Sequence, residues 1–156
     1  MIVAATLYEW LLFGHILAAM AWFGGLAMLL ILGIRVLRAS EIDAIASFLR
    51  SLRVVGPSML APSVVALLGL GVWMVIDSPA WQFDQTWVQT GIGLLLLTAV
   101  IGAAVGGRAA LLAERAAHKR DFDETRRQLR RWLWGISLVL VLLVIAVWDM
   151  TLKPGL

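Results

Sequence analysis

The chain has 156 residues, of which 62% are hydrophobic and only 15% are charged. Soluble domains carry about 25% charged residues, so this composition excludes an ordinary water-soluble fold. The chain has no cysteine, which excludes disulfides, thiolate metal sites and iron–sulfur clusters.

Four long segments contain no Asp, Glu, Lys or Arg: residues 10–34, 54–76, 87–107 and 132–148. A helix rises about 1.5 Å per residue and needs about 20 residues to cross the hydrocarbon core. The fourth segment therefore needs its flank, to residue 151, to reach across. Because backbone polar groups must be satisfied inside lipid, we predict an all-α membrane protein. The single domain, residues 1–156, is a four-transmembrane-helix bundle with spans at about 10–34, 54–76, 87–107 and 132–151.

The first span contains an unusual residue, His15. An ionisable ring at membrane depth is costly, which makes it a functional candidate by default. Spacing of seven puts Trp22 on the same helix face, two turns deeper. Such a ring could bind a metal ion or haem iron, or relay protons. The alternative is a neutral histidine that hydrogen-bonds to a neighbouring helix.

Small residues recur at a spacing of four on the first and third spans. This spacing lets helix backbones approach closely. We expect it to serve packing within the bundle, with a homodimer as the alternative. The pairs are Gly14 with Ala18, Ala21 with Gly25, and Gly102 with Gly106.

Twelve of the 13 Lys and Arg residues lie in two loops, within residues 35–53 and 108–131, and the remaining one is Lys153. The positive-inside rule places both loops in the cytoplasm and both termini outside, an N-out/C-out topology. We therefore predict a multi-pass protein of the bacterial cytoplasmic (inner) membrane. Because the basic residues flank the spans, their expected partners are anionic membrane lipids and not nucleic acid.

Both basic loops are expected to be largely helical. Ser40 is the expected N-cap of an amphipathic helix that ends or kinks at Gly56-Pro57. The third span is expected to continue as a helix to about Ala117. Asp121 is expected to cap a helix that runs without a break into the fourth span.

The two halves of the chain share one order: span, basic loop, capped amphipathic stretch, span. This order suggests a duplicated helical pair related by an axis along the membrane normal. At the end of the last span, Asp149 and Lys153 are four residues apart and are expected to form a salt bridge.

The block from His15 through Trp22 to Gly25-Leu26, with Lys153-Pro154 after the last span, resembles two four-helix membrane families. These are the families around copper-resistance protein D and the HemJ-type protoporphyrinogen oxidase. Over nearly its whole length the chain is more similar to an uncharacterised bacterial family of predicted integral membrane proteins. Segments 69–78 and 148–156 look typical of that family.

HemJ-type enzymes bind haem b and oxidise protoporphyrinogen, using a first-span histidine and a lysine at the end of the fourth span. The resemblance implies that His15, with Trp22 on its face, binds haem b and that Lys153 is the essential lysine. The chain departs from HemJ over residues 27–36, which lack the second histidine of that family. The second axial ligand would then be a methionine, water, or His15 of another subunit.

Three functions follow as hypotheses. The first is a haem b-binding membrane oxidoreductase in which His15 is the axial ligand. The second is a copper-handling membrane protein that uses His15 and soft methionine ligands. The third is a non-catalytic membrane subunit that packs against a partner. The methionines considered are Met20, Met28, Met59, Met74 and Met150.

Overall fold

A computed structural model describes residues 6–39 and 41–154, apart from the side chains of residues 105 and 106. Within these ranges, four helical rods are long and apolar enough to cross a membrane, as predicted. The first rod is α1 (Leu7–Ala39). The second and third each combine two α-helices around a π-helical turn, and the fourth is one α-helix. In chain order they are α2 (Ile42–Val55), π1 (Gly56–Leu60), α3 (Ala61–Asp77), α4 (Thr86–Ile101), π2 (Gly102–Gly107), α5 (Arg108–His118) and α6 (Phe122–Leu152).

The π1 turn follows from a proline inside the second rod. Pro57 has no N–H to donate to the carbonyl four residues earlier, so the regular ladder cannot continue. The ladder widens instead, and the Ala61 N–H donates to the Gly56 carbonyl. The Ser58 hydroxyl donates to the Val54 carbonyl, which helps to satisfy the backbone beside the interruption. Gly56-Pro57 therefore widens the helix without ending it.

The helices of the two basic loops agree with the sequence. The Asp121 carboxylate accepts a hydrogen bond of 3.0 Å from the Glu124 N–H and caps α6. From there α6 continues without interruption into the fourth span. The third rod continues to His118, which confirms the predicted extension. Ser40 lies outside the described residues, and Glu41, the N-cap of α2, makes no side-chain capping bond.

Buried positions on α1 through α3 recur 80 residues later in the chain, on α4 through α6. Both members of each pair are buried, so the two halves present the same faces to the core. The recurrence supports the predicted duplication of a helical hairpin. The pairs are Leu11 with Gly91, Ala18 with Thr98, Leu29 with Ala109, Gly33 with Ala113, Ile45 with Thr125, Phe48 with Gln128, Leu49 with Leu129, and Ser63 with Leu143.

The repeat relates two contacts between the halves. One is the contact of α1 with α6, which we call the closed seam. Its equivalent is the contact of the second rod with the third, which we call the open seam. In the closed seam α1 packs directly on α6, whereas in the open seam α2 packs on α5 but α3 barely touches α4.

The closed seam is tightly filled. A Cβ atom added to Gly33 would lie only 2.8 Å from Cδ2 of Leu133 and 3.2 Å from Cζ3 of Trp132. The Trp132 ring meets the Phe48 ring edge-on, with 5.6 Å between centroids. Since lipid is as apolar as these side chains, close packing of this kind is the main attraction between the helices.

The predicted small-residue pairs on α1 pack inside the bundle. A Cβ atom on Gly14 would lie 3.2 Å from Cδ1 of Leu70, and one on Gly25 would lie 3.0 Å from Cδ2 of Leu60. Both glycines therefore let the second rod approach α1. A Cβ atom on Gly102 would meet nothing within 4 Å. The homodimer stays a prediction.

Candidate functional site

A cavity of about 640 Å³ lies between the two halves of the bundle. All four rods contribute to its wall, and most of the lining side chains are apolar. Charge enters at one end only, where α2 contributes Arg53 and α5 contributes Glu114. We call this end of the bundle the basic end, since α2, α5 and the first turns of α6 carry most of the arginines.

The cavity opens on one side only. The lining residues from α1 and α6 are all buried, so this wall is closed. The exposed lining residues all come from the second and third rods. They include Val65 on α3, which is 72% exposed, and Ala103 on π2. Both lie in segments without charged residues, so the opening faces the hydrocarbon phase.

Side-chain size at equivalent positions explains why one seam is open. Trp22 is a bulky buried residue on the α1 wall of the cavity, and 80 residues later Gly102 stands at the equivalent position. Ile136 of the closed seam likewise corresponds to Gly56. Each of these glycines has open space where a Cβ would lie. The second and third rods therefore leave space with small residues at positions where α1 and α6 carry bulky side chains.

Backbone geometry differs between the seams as well. α1 and α6 are continuous α-helices, whereas both rods of the open seam carry a π turn. Both turns line the cavity, through Gly56 and Pro57 in π1 and through Gly102 and Ala103 in π2. π turns of this kind are rare and occur frequently at functional sites.

The charged end of the cavity is an ion pair across the open seam. Nη1 of Arg53 lies 3.1 Å from Oε1 and 3.3 Å from Oε2 of Glu114. The Arg53 side chain is 68% exposed, while that of Glu114 is only 17% exposed. The sequence reasoning missed this pair, although one signal was present. Glu114 is the only acidic residue between Asp84 and Asp121.

Thr98 is the one hydroxyl-bearing residue among the described residues of the wall, and it is fully buried. Its Oγ1 donates a hydrogen bond of 2.7 Å to the Leu95 carbonyl, one turn back on α4. This bond satisfies the hydroxyl within its own helix. The interior of the cavity thus presents an apolar surface up to the ion pair.

The structure separates the two cofactor-binding residues predicted on α1. Trp22 is buried and forms part of the cavity wall. His15 does not line this cavity and lies between α1 and α3 instead. Its Cε1 is 3.1 Å from the position a Cβ on Gly71 would take.

The surroundings of His15 bear on the haem and copper hypotheses. Its Nδ1 is buried and has no hydrogen-bond partner among the described residues, which leaves one nitrogen able to bind a ligand. Gly71 provides the space in which the ring sits. Within the described residues no three His, Asp or Glu side chains gather as a metal site. The site thus offers one ligand atom and would need a second from elsewhere.

Four of the five candidate methionines do not approach His15. Met20 and Met28 are 66% and 60% exposed on the outside of α1, where lipid would surround them. Met59 lies against Gly25, and Met150 lies against Gly91. These four form no thioether site around the histidine, whereas Met74 lies on α3 one turn after Gly71.

Lys153 does not pair with Asp149, so the predicted salt bridge is wrong. The Lys153 Nζ lies over the Trp81 ring, 3.8 Å from its centroid, and 5.3 Å from that of Trp87. The backbone of Lys153 is left-handed, with φ of 46°, which turns the side chain away from the α6 axis. Asp149 is buried, and its Oδ2 lies against Gly91 without a hydrogen-bond partner among the described residues.

Trp81 connects α1, α4 and the end of α6 around this lysine. The rings of Trp81 and Trp87 meet edge-on at 5.2 Å. The Trp81 Nε1 donates a hydrogen bond of 3.2 Å to the Tyr8 hydroxyl on α1. A lysine in this arrangement is held by two aromatic faces, which is a structural contact worth roughly 0.5–2 kcal/mol.

Comparison with known proteins places the chain in a family but not in a functional class. No curated protein and no solved structure matches it, so the resemblance to copper-resistance protein D and to HemJ receives no support. The family model described as "Predicted integral membrane protein (DUF2269)" matches residues 9–154, nearly the whole chain. The chain therefore belongs to this family of integral membrane proteins, whose function is unknown.

Proposed function

We propose that this protein binds a membrane lipid in the cavity of the open seam. The observation that carries the proposal is a one-sided apolar cavity that opens towards the hydrocarbon phase and ends at an ion pair. An acyl chain matches the apolar wall, and a polar headgroup matches the charged end. Sites that hold small molecules have volumes of roughly 300–1,000 Å³, and this cavity of about 640 Å³ lies within that range.

The position of the opening favours a lipid over a water-soluble ligand. A soluble molecule would have to enter from the basic end, where α2 packs against α5. A lipid reaches the cavity sideways, between α3 and α4, where the helices barely touch. Its headgroup would stay at the membrane surface beside Arg53, whose side chain is mostly exposed.

A phospholipid with a photoactivatable diazirine on its acyl chain tests this proposal. Every chain in the bilayer reaches outward residues such as Val100, but only a chain inside the cavity reaches the buried Trp22 and Leu26. We expect mapping of the labelled peptides to find both kinds of site. Labelling confined to outward residues would contradict lipid binding in the cavity.

Two neighbouring positions on α4 provide a matched pair of variants. Ala99 lines the cavity, whereas Val100 is 62% exposed and does not line it. Ala99→Phe is expected to abolish labelling of Trp22 and Leu26, because the new ring occupies the cavity. Val100→Phe adds a ring of the same kind to the outer surface and is expected to leave that labelling unchanged.

A second candidate function rests on the unpartnered Nδ1 of His15. We propose as this alternative that His15 binds haem iron or a copper ion in a redox role. A bound haem would supply one-electron chemistry, and His15 would hold its iron. The second ligand of the iron or copper would be a water molecule or a residue of another copy of the chain.

Optical spectra of the purified protein after haem supplementation test this alternative. A Soret band that is lost in His15→Ala and kept in His118→Ala would support it, because His118 is an exposed residue at the end of α5. Copper bound in stoichiometric amount and lost in His15→Ala would assign the site to copper. Protein that binds neither haem nor copper would favour the third hypothesis, a non-catalytic membrane subunit.

We further propose that the basic end faces the cytoplasm of a bacterial inner membrane, with both termini outside. The support is the placement of twelve of the 13 Lys and Arg residues at that end, where anionic lipids would contact them. A reporter that is active only in the periplasm should work when it is fused after Leu156. Activity of cytoplasmic reporters alone at that position would overturn this orientation.

A further inference from the structure

The ion pair of the open seam has no counterpart in the closed seam. The positions 80 residues from Arg53 and Glu114 are Leu133 and Ile34. Leu133 is buried, and Ile34 packs against the core. The equivalent helix contact is thus made by apolar side chains alone, so holding two helices together at this level requires no charge. The two charges occur only where the cavity opens.

Arg53 retains hydrogen-bonding capacity beyond this pair. Its guanidinium has five N–H donors, and only Nη1 is engaged with Glu114 in the described structure. The exposed side of the guanidinium can therefore donate to a phosphate, which it matches in geometry. The Glu114 carboxylate lies deeper and can accept from a small ammonium group that donates hydrogen bonds.

We infer that the lipid in the cavity carries a phosphoethanolamine headgroup, with its phosphate on Arg53 and its primary ammonium on Glu114. This inference rests on the proposed lipid binding. A zwitterion adds a partner of opposite sign to each member of the pair and leaves no charge uncompensated. An anionic headgroup without an ammonium would place its negative charge near Glu114 and leave that largely buried carboxylate without a new partner. A trimethylammonium group has no N–H to donate to it.

The experiment is competitive retention of lipids by the purified full-length protein in mixed micelles, read by native mass spectrometry. The probes are phosphatidylethanolamine, phosphatidylglycerol and phosphatidylcholine with identical acyl chains. A charge-assisted hydrogen bond contributes enough for roughly a tenfold or greater preference for phosphatidylethanolamine. Retention without a headgroup preference, or a preference for phosphatidylglycerol, overturns the inference and leaves lipid binding intact. Retention of no lipid overturns the proposed function itself.

Variants separate headgroup recognition from a role of the pair in holding α2 and α5 together. Glu114→Gln is expected to remove the preference for phosphatidylethanolamine over phosphatidylglycerol. Arg53→Gln is expected to weaken the binding of both lipids, whereas Arg53→Lys is expected to retain part of that binding. Arg50→Gln removes another exposed charge of α2 outside the cavity and is expected to change nothing. If Glu114→Gln lowers the unfolding temperature in lipid-free detergent but keeps the preference, the pair is only a helix contact and the inference is wrong.

Discussion

The two seams of the bundle occupy equivalent positions in a duplicated hairpin, yet one is filled and the other is open. On the helices of the closed seam, which are continuous, Trp22 and Ile136 are bulky and buried. In the open seam, Gly102 and Gly56 stand at those positions, and π turns interrupt both rods. The 80-residue recurrence of burial thus relates two helix contacts that differ in side-chain size, and the cavity lies at the one with small residues.

The difference also shows what each seam contributes. Helices in lipid associate through close packing. Because lipid tails are as apolar as the side chains, the hydrophobic effect adds no attraction between the helices. The closed seam provides that packing where Gly33 meets Leu133 and Trp132. The open seam lacks it between α3 and α4, and this part of the seam is available for a ligand.

The largest expected difference between the seams is at positions 52 and 132, which the repeat relates. Trp132 is buried against Phe48, whereas Leu52 is half-buried on the cavity wall. Trp132→Ala should lower the free energy of unfolding by about 3 kcal/mol, and Leu52→Ala by about 1 kcal/mol. Reversible unfolding in mixed detergent micelles measures both. Equal losses would mean that the seams are packed alike.

A smaller difference is expected between two glycines. A Cβ on Gly33 would lie 2.8 Å from Leu133, so Gly33→Ala forces the closed seam apart and should cost about 1–3 kcal/mol. Gly102→Ala places its methyl group in open space and should be neutral, or stabilising by about 0.5 kcal/mol through reduced backbone freedom. Thermal unfolding of the two variants side by side checks this. A loss in Gly102→Ala as large as that in Gly33→Ala would contradict an empty space at the open seam.

The smallest difference concerns the helix caps at equivalent positions 41 and 121. Asp121 accepts a hydrogen bond from the Glu124 N–H, while Glu41 caps α2 without one. Asp121→Ala should therefore destabilise the protein by about 1 kcal/mol, and Glu41→Ala should have almost no effect. Amide exchange at the first turns of α2 and α6 would locate the effect. Faster exchange in α2 than in α6 after the respective substitutions would refute this assignment of the caps.

Much of the fold could be predicted from sequence because its signals are local. The four uncharged segments indicate the spans, Asp121 indicates the start of α6, and the arginines mark one end of the bundle. The cavity could not be predicted, because it depends on which residues face each other across helices. The contrast between Trp22 and Gly102 can be recognised only once the burial pattern shows that positions 80 residues apart are equivalent.

The candidate site residues show the same limit. Spacing of seven places His15 and Trp22 on one helix face, but their neighbours differ, since one lies against α3 and the other lines the cavity. Spacing of four suggested a bond between Lys153 and Asp149. The lysine instead meets Trp81, a residue distant in sequence that the loop between α3 and α4 brings beside it. Spacing within one helix could not reveal either contact.

The central claim is that the open seam holds a lipid, and the most direct test counts the phospholipid that remains bound after extended detergent washing. Native mass spectrometry should show one phospholipid per chain for the unmodified protein and for Val100→Phe, and none for Ala99→Phe. An unmodified protein without lipid, or equal retention by Ala99→Phe and Val100→Phe, would contradict the claim.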